Sequence, residues 1–510
     1  MSELTIARGR WVICGAGDDD VITDGAVLFE GDGIEAVGPW AELSAAHPDA
    51  AVVGSDRVAL MPGLINAHHH SSGSTGVQQG VPDLHLEPWL LARNRLRPQD
   101  VQLATLISAA RLLASGVTTV VDVHSGSGTA EAYAGSVNRA LEGYDLSGMR
   151  TAFTAGTSLQ SHLISGAGED DTFIAGLPEE LRGDARAELP APGSIDGDDY
   201  LGIMDDLMAV YREHARIDIW YGPPGPQWVS DDLMQQIAEA AGRHDTNIQT
   251  HVAESFYEKL HGPRGYGKPT ALHLNDLGVL GPRFSIAHGV WLSEPEIAVM
   301  AETGAGVSHN PSSNLRLRAG IAPLNALREA GVTVGLGMDG TSLNDDEDMF
   351  TEMRLALRLH RGPELGMPAP EPEDLLHHAT VGGAKLMRKE SRLGRLAPGF
   401  AADLVMVDLE KVTWPWVSPE IDPRELILMR AKASDVDAVY VGGELVCQDG
   451  RPTRFDADEV AGELAAALGA APFPEEGHAR AERLMPHVEA YYREWEVPGL
   501  QAYTAYNSRK

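Results

Sequence analysis

The sequence predicts an α/β protein: a (β/α)₈ barrel of the TIM type joined to a small composite β-sandwich that both ends of the chain build. The middle of the chain alternates short apolar runs with helical patterns, which is typical of repeated βα units around a parallel sheet. Eight such runs, as many as an eightfold barrel requires, end near His68, Asp122, Ala155, Tyr221, His251, His288, His309 and Asp339. The active site of such a barrel lies at the carboxyl ends of its strands.

The two ends of the chain have a different pattern from the middle. Residues 1–60 and 395–452 hold short strand-like runs separated by turns, so we assign both to the sandwich and residues 61–394 to the barrel. Residues 164–200 are acidic and rich in Gly, Pro and Asp, which predicts an inserted loop. Residues 453–510 predict a helical C-terminal extension with the aromatic residues Tyr491, Tyr492, Trp495, Tyr503 and Tyr506.

Composition argues against several classes of partner. The 510 residues include 40 Lys and Arg against 74 Asp and Glu, a net charge of −34, which repels nucleic acids and anionic membranes. No apolar run is long enough for a transmembrane helix, and the first residues lack the features of a signal peptide, so we expect a cytoplasmic protein. The two cysteines, Cys14 and Cys447, are too few for a disulfide framework or a thiolate metal site, and we expect both to be reduced.

The strongest chemical signal follows the first predicted barrel strand, where residues 62–70 read Pro-Gly-Leu-Ile-Asn-Ala-His-His-His. Because side chains alternate across a strand, His68 and His70 share one face and His69 points away. Two imidazoles at this spacing can bind one cation. Such a pair also occurs in proteins without a metal site, but here it follows an apolar strand and a Pro-Gly turn.

Three further segments place polar groups at predicted strand ends. His251 closes the fifth strand and Glu254 follows three residues later, while His288 closes the sixth strand and Asp339 the eighth. Each of these residues alone could be structural, as a capped strand end with a solvated carboxylate would be. Together with the first strand they converge on the barrel mouth, and this conjunction predicts a metal centre.

Zn²⁺ suits a site of three histidines and one aspartate with one position left for water, as do Fe²⁺ and other borderline ions. The predicted ligands are His68, His70, His251 and Asp339. A cation of this kind lowers the pKa of its water toward ~7. In this interpretation His288 and Asp339 are catalytic groups that orient and deprotonate the water, and Glu254 passes the proton to a ring nitrogen or leaving group.

Several segments together resemble the amidohydrolase superfamily, in the branch that contains cytosine, guanine and adenosylhomocysteine deaminases and triazine hydrolases. They read Pro-Gly-x-x-Asn-x-His-x-His at 62–70, Ser-Gly-Val-Thr-Thr-Val-x-Asp at 115–122, His-x-Ala-Glu at 251–254, Ala-His-Gly-Val-Trp-Leu at 287–292, Ser-His-Asn-Pro-x-Ser-Asn at 308–314 and Gly-x-Asp-Gly at 337–340. The resemblance implies that the four predicted ligands hold a metal and that Glu254 and His288 are catalytic.

The segment after the fourth predicted strand departs from the binuclear members of that superfamily. Those members place a bridging ligand there, such as a carboxylated lysine. Residues 221–228 read Tyr-Gly-Pro-Pro-Gly-Pro-Gln-Trp and contain no Lys, Glu or Cys. We therefore expect one divalent metal per chain, with Zn²⁺ as the first choice.

The favoured reaction is hydrolytic deamination of an amino-substituted N-heterocycle, at a C–N bond other than a peptide bond. This interpretation depends on Glu254, because an amine leaves as a protonated group and needs an acid beside the metal. The alternative keeps the same centre but changes the leaving group, to chloride, an alkylamine, or the amine of a cyclic or aryl amide or urea. A scaffold without activity is a third hypothesis, which the complete ligand set disfavours.

The expected substrate is a small planar molecule. Trp89, Trp228 and Trp291 fall in or near the loops after the first, fourth and sixth strands, where aromatic faces favour stacking with a ring. His124 and His309, at the ends of the second and seventh strands, could add hydrogen bonds. The alternative for the tryptophans is packing against barrel helices.

The aromatic residues of the C-terminal extension predict a homodimer or a higher homo-oligomer. They would present more aromatic surface than a free terminus exposes. The alternative is that the extension folds back on its own barrel.

Overall fold

A computed structural model describes residues 4–17, 20–166 and 168–500. Within these residues the chain forms two eight-stranded sheets. Their strands are β1 Thr5–Ile13, β2 Val21–Glu30, β3 Gly33–Pro39, β4 Ala51–Pro62, β5 Leu64–His69, β6 Val117–Ser125, β7 Arg150–Gly156, β8 Ile217–Tyr221, β9 Ile248–Val252, β10 Phe284–His288, β11 Gly306–His309, β12 Val334–Leu336, β13 Leu404–Asp408, β14 Val436–Val441, β15 Glu444–Gln448 and β16 Arg451–Pro452.

The strands β5 to β12 follow one another around a parallel barrel in the order of the sequence. Parallel strands of this kind are buried on both faces, and all seven residues of β7 are buried. Between the last strand and the first, the backbone N–H of Asp339 donates to the carbonyl of His68 at 2.9 Å. The N–H of Met338 donates to the Asn66 side chain at 3.0 Å. These bonds close the predicted barrel and bring its first and eighth strand ends together.

The second sheet combines strands from both ends of the chain, in the order β16-β15-β14-β13-β4-β1-β2-β3. The two halves meet in the antiparallel pair β13–β4, in which Leu404 faces Pro62. An apolar core that includes Phe29, Leu60 and Tyr440 packs on this sheet. The predicted fold class, a barrel with a β-rich module built from both termini, is therefore confirmed.

Helices connect most of the barrel strands, and many begin at a residue that can cap them. Asp100, Ser230 and Asp348 each accept a hydrogen bond from a backbone N–H of the first turn. No helix in the described part of the chain is both long and apolar enough to cross a membrane. The helices are α1 Trp40–Ala46, α2 Leu86–Ala92, α3 Val101–Ala114, α4 Ala130–Ser147, α5 Asp170–Gly176, α6 Arg182–Arg186, α7 Gly197–Tyr211, α8 Asp231–His244, α9 Phe256–His261, α10 Thr270–Asp276, α11 Glu294–Thr303, α12 Pro311–Arg316, α13 Leu324–Glu329, α14 Met349–Leu359, α15 Pro372–His377, α16 Gly383–Leu386, α17 Leu409–Thr413, α18 Pro423–Arg430, α19 Ala457–Ala470 and α20 Glu475–Arg493.

The insertion at 164–200 and the C-terminal extension pack against each other. The insertion contains α5, α6 and the first residues of α7, where the sequence predicts only a loop. Helix α20 lies along it: the rings of Tyr491 and Phe173 are in edge contact with centroids 5.4 Å apart. Arg483 forms an ion pair with Asp184 at 2.7 Å. The extension therefore folds back on its own barrel, which is the alternative considered above.

The aromatic residues of the extension are covered within the chain. Tyr492 and Trp495 are buried in an apolar cluster with Ile164 of the insertion, and Tyr491 packs against that cluster. These three residues therefore give no support to the homo-oligomer, which stays a prediction. Tyr503 and Tyr506 lie outside the described residues.

Candidate metal centre

Three histidine rings meet at the carboxyl ends of the first and fifth barrel strands. His68 and His70 lie at the end of β5, and His251 lies near the end of β9. Their ligand atoms all lie within 4.8 Å of one another, and the Nε2 atoms of His70 and His251 are 3.2 Å apart. Two nitrogens that each lie about 2.0 Å from a tetrahedral zinc are about 3.3 Å apart, so this spacing suits two ligands of one ion.

Asp339 adds a carboxylate from the eighth strand end. Its Oδ1 atom is 3.4 Å from Nε2 of His70 and 3.8 Å from Nε2 of His68. Its Oδ2 atom is 3.7 Å from Nε2 of His288. Oε2 of Glu254 is also 3.7 Å from the same His288 nitrogen. The structure thus brings together all six residues for which the sequence predicts metal binding or catalysis.

A hydrogen bond to the second ring nitrogen orients each histidine of the centre. In every case Nδ1 donates to an oxygen: His68 to Gln249 Oε1 at 2.8 Å, His70 to the Val123 carbonyl at 2.7 Å, His251 to the Pro224 carbonyl at 2.6 Å, and His288 to Asn314 Oδ1 at 2.8 Å. The amide of Gln249 is itself fixed, because its Nε2 donates to the Ala67 carbonyl at 2.9 Å. Bonds of this kind leave Nε2 free for the centre and are typical of metal-binding histidines.

The centre contains buried nitrogen atoms that need a partner. Nε2 of His68 and Nε2 of His288 are buried, and neither has a hydrogen bond among the described residues. Buried polar atoms without a partner are rare in proteins, and a cation would supply one. Burial lowers the pKa of His251 to about 3 and holds that of His68 well below its usual value. The rings are therefore neutral, as metal binding requires, and this donor set fits a zinc ion.

Asp339 is ionised in this environment. Burial opposes its charge, but the pKa of Asp339 lies well below the usual range, and the hydrogen bond from Ser313 lowers it. The hydroxyl of Ser313 donates to Oδ2 at 2.5 Å, and the N–H of Gly340 donates to Oδ1 at 2.6 Å. Hydrogen bonds to the charged form favour ionisation, so the carboxylate is available as a ligand or as a base.

Two residues of the centre have a left-handed backbone conformation. The angle φ is 72° at His288 and 56° at Asp339, values that residues other than glycine seldom adopt. Each such conformation costs on the order of 1–3 kcal/mol and persists only where the surrounding structure holds it. At Asp339 that support is the hydrogen bond to His68 that closes the barrel.

His69 points away from the centre, as strand alternation predicts. Its Nδ1 lies 2.8 Å from the carbonyl oxygen of Asp339, and its Nε2 lies 2.7 Å from the hydroxyl of Ser108. That hydroxyl also donates to Glu347 at 3.3 Å. The buried His69 ring therefore ties β5 to the backbone of Asp339 without facing the other histidines.

The side chain of Glu254 is buried beside His288, and a hydrogen bond to Glu258 fixes its backbone. Burial raises the pKa of Glu254 well above its usual value, and the carboxyl groups of Glu258, Asp339 and Glu87 raise it further. The backbone N–H of Glu254 donates to Oε2 of Glu258 at 2.7 Å. Burial therefore favours the protonated form of Glu254, which is the form that can act as an acid.

Four residues that orient the centre were not predicted from the sequence, namely Gln249, Glu258, Ser313 and Asn314. Gln249 precedes His251 by two residues and so lies on the same face of β9, a signal that could have located it. Ser313 and Asn314 belong to a segment quoted above for its resemblance, without a role of their own. Glu258 lies one helical turn beyond Glu254.

Two of the five residues predicted to contact the substrate are tryptophans near the barrel mouth. Trp228 lines a cavity of about 160 Å³. Trp89 lies on α2, and the guanidinium of Arg93 is 5.2 Å from the centroid of its ring. Their contacts with a substrate stay predictions.

The polar atoms of the other three predicted residues are engaged elsewhere. Nε2 of His124 is 2.9 Å from the hydroxyl of Ser136, and Nε2 of His309 is 2.9 Å from Nε2 of His360. The indole N–H of Trp291 donates to a backbone carbonyl at 2.7 Å. None of these three lines the cavity formed by the described residues, so the packing alternative suits Trp291 better.

Replacing Trp228 with alanine is expected to raise KM for a planar substrate about 2–10-fold, because an aromatic pair contributes ~0.5–1.5 kcal/mol beyond its buried area. Steady-state kinetics would measure the change. Trp414→Ala is the control, since that ring is 73% exposed and lies outside the cavity. An unchanged KM in Trp228→Ala would assign this indole to packing.

The chain belongs to the amidohydrolase family. The sequence profile of that family matches residues 59–446, a range that includes every barrel strand and all six residues of the centre. A second profile, of an imidazolonepropionase-like composite domain from bacteria, matches residues 25–50 within the terminal sheet. The resemblance drawn from the sequence motifs is therefore confirmed.

Relatives named as deaminases are similar over most of the chain. An 8-oxoguanine deaminase from Pseudomonas aeruginosa is 34% identical over 444 residues, which is 85% of this chain and 91% of the relative. A 5-methylthioadenosine/S-adenosylhomocysteine deaminase from Nitratidesulfovibrio vulgaris is 30% identical over 441 residues, 86% of this chain and 90% of the relative.

Solved structures share the same architecture. An adenosine deaminase from Xanthomonas campestris with bound zinc is 25% identical with a TM-score of 0.77, over 92% of this chain and 99% of that one. An atrazine chlorohydrolase from Arthrobacter aurescens complexed with zinc is 23% identical with a TM-score of 0.76, over 91% of this chain and 100% of that one. The second likeness shows the fold alone.

Proposed function

We propose that the protein hydrolyses the C–N bond of an amino-substituted N-heterocycle and releases ammonia. The observation that carries the proposal is the position of Glu254. It is a buried carboxyl group with a raised pKa, 3.7 Å from His288 and beside the candidate ligands of the metal centre. A reaction that expels an amine needs an acid at this place.

The cation of this centre would be held by His68, His70, His251 and Asp339, and we propose Zn²⁺. When bound, it supplies a Lewis acid and lowers the pKa of water so that a nucleophile forms at neutral pH. With three nitrogens and one oxygen from the protein, a water molecule would make the zinc five-coordinate, a geometry that catalytic zinc sites can adopt. The zinc in the related adenosine deaminase supports this choice.

A single cation per chain is part of the proposal. The segment after β8, residues 221–228, offers no Lys, Glu or Cys that could bridge to a second metal. Its contribution is the Pro224 carbonyl, which orients His251.

The two carboxyl groups and His288 would divide the proton transfers. Nε2 of His288 lies 3.7 Å from both Glu254 and Asp339, between a protonated acid and an ionised base. Asp339 can accept a proton from the attacking water, while His288, fixed through Asn314, orients that water. Glu254 can deliver its proton to a ring nitrogen, take up the second proton of the attacking water, and deliver that proton to the departing amine. The proton that Asp339 took from the water then restores the acid form of Glu254.

The relatives support deamination over other leaving groups. Their names specify deamination of 8-oxoguanine, 5-methylthioadenosine and S-adenosylhomocysteine. Chloride, an alkylamine or the amine of an amide or urea could leave from the same centre. Chloride leaves without a proton, however, so a buried acid at Glu254 would contribute little to dechlorination.

A screen for released products tests the proposal. Purified protein would be incubated with aminated purines, pyrimidines, pterins and triazines, and separately with chlorinated triazines and cyclic and aryl ureas. We expect ammonia from at least one aminated heterocycle, with a higher kcat/KM than for any compound of the second group. Faster release of chloride or of a urea amine would establish the alternative leaving group instead.

A further inference from the structure

Helix α12, Pro311–Arg316, follows the seventh barrel strand and carries two residues that contact the metal centre. The hydroxyl of Ser313 donates to Oδ2 of Asp339 at 2.5 Å. The next residue, Asn314, accepts a hydrogen bond from Nδ1 of His288 at 2.8 Å. A shift of this short helix would therefore displace the partner of a candidate ligand and the partner of a catalytic histidine together.

The first turn of α12 is held by a carboxyl group from another helix. The side chain of Asn310, the residue before α12, caps no N–H within the described part of the chain. Instead, the backbone N–H of Ser312 donates to Oε1 of Glu352 at 2.9 Å, and the Ser312 hydroxyl donates to Oε2 of the same group. An N–H of the first turn has no partner inside its own helix, and Glu352 supplies one.

Glu352 comes from the eighth βα unit of the barrel. It lies on α14, Met349–Leu359, which follows the segment that contains Asp339, and it is only 1% exposed. Among the described residues, its carboxyl group forms hydrogen bonds with Ser312 alone. Burial of a carboxyl group costs free energy, and an apolar side chain would fill the same place without that cost. Packing alone therefore does not account for a glutamate at this position.

We propose that Glu352 is a positioning residue of the metal centre. By holding Ser312, it fixes the two residues that follow on α12. Through them it keeps the Asp339 carboxylate in place for the cation and the His288 ring in place for the attacking water. The effect on turnover rests on the proposed deamination, whereas the effect on metal binding is independent of the reaction.

Zinc affinity tests this role without any substrate. Metal-free protein would be titrated with Zn²⁺ in competition with a chromogenic chelator. The loss of a group that orients a metal ligand typically lowers metal affinity about 10–100-fold, and we expect a loss of this size in Ser313→Ala. Glu352→Ala acts through one more residue, so we expect a loss of about 10-fold, the lower end of that range.

Glu296→Ala is the matched control for Glu352→Ala. Glu296 is also 1% exposed, and it accepts the N–H and the hydroxyl of a single serine, Ser293, at 2.8 and 2.6 Å. That serine begins α11, Glu294–Thr303, which carries no residue that forms or orients the centre within the described part of the chain. Glu296 also pairs with Lys259, so its loss should lower Tm at least as much. We expect its zinc affinity to stay within about twofold of wild type.

Glu352→Gln keeps the side chain almost unchanged in shape and retains one acceptor oxygen. Because only one of the two hydrogen bonds from Ser312 is lost, we expect a zinc affinity about threefold below wild type. The value should lie between those of wild type and Glu352→Ala. If Glu352→Ala does not fold, this variant decides, and a zinc affinity equal to wild type would contradict the positioning role.

A double-mutant cycle shows whether Glu352 acts through α12. Once the Ser313 hydroxyl is absent, the position of α12 matters less to Asp339, so Glu352→Ala should add little to Ser313→Ala. We expect the double variant to bind Zn²⁺ within about threefold of Ser313→Ala alone. A long-range effect of the lost carboxylate charge would instead multiply the two losses, and that result would contradict the route through α12.

Turnover at saturating Zn²⁺ separates this inference from the proposed function. With the best aminated substrate, we expect Glu352→Ala to lower kcat about 10-fold and to leave KM within about twofold. If no heterocycle released ammonia, the proposed function would fail while the zinc titrations still tested the positioning role. A wild-type zinc affinity in Glu352→Ala, or an equal loss in Glu296→Ala, would overturn that role whatever the reaction.

Discussion

Replacing either His68 or Asp339 with alanine is expected to abolish turnover and to remove the bound metal. Each supplies one of four candidate ligands, and Asp339 also carries the negative charge of the centre. Removing one of the ligands leaves too few donor atoms to hold the ion in its geometry. Elemental analysis after dialysis and a measurement of kcat would show both losses.

His69→Ala is the matched control, because it removes the same kind of side chain one position along the same strand. Its ring nitrogens engage the Asp339 carbonyl and Ser108, so we expect the variant to retain metal. We expect the free energy of unfolding to fall by about 1–3 kcal/mol, because a buried partner is left unpaired. A lower Tm would show this loss. Equal metal loss in His69→Ala and His70→Ala would contradict the assignment of strand faces.

Replacing Glu254 with glutamine is expected to keep the metal and to cut kcat for an aminated substrate by ~10²–10⁴, the usual contribution of general acid–base catalysis. Glutamine preserves the shape of the side chain but has no proton to give to the departing amine. Zinc content and kcat would be measured on the same preparation.

A halogenated analogue of the same ring provides the control for Glu254→Gln. Chloride leaves without protonation, so its release should fall much less than the release of ammonia. Equal losses with both substrates would mean that Glu254 acts on the attacking water, and the preference for deamination would lose its main support.

The barrel and the ligand positions could be predicted because their signals are local. Apolar runs of strand length end in His or Asp, and the ends of parallel barrel strands meet at one mouth. Strand alternation also separated His69 from His68 and His70. The same reasoning is weaker for His124 and His309, because an error of one residue in a strand end reverses the face to which a side chain points.

The packing of the C-terminal extension on the insertion could not be predicted, because its contacts join distant parts of the chain. The hydrogen bond between Ser165 and Tyr492 spans 327 residues, and no periodic pattern links two such segments. The aromatic residues of α20 show that some surface covers them, but not whether it belongs to the insertion or to another chain. The sequence favoured contact with another chain, whereas in the structure these residues pack on the insertion.

The most direct test of a metal-dependent deaminase is to titrate metal-free protein with Zn²⁺ while following ammonia release from its best aminated substrate. We expect no ammonia before metal is added, then a linear rise that saturates at one Zn²⁺ per chain. Full activity in the metal-free protein would contradict the role of the centre, and saturation only at two Zn²⁺ per chain would contradict the single-metal site.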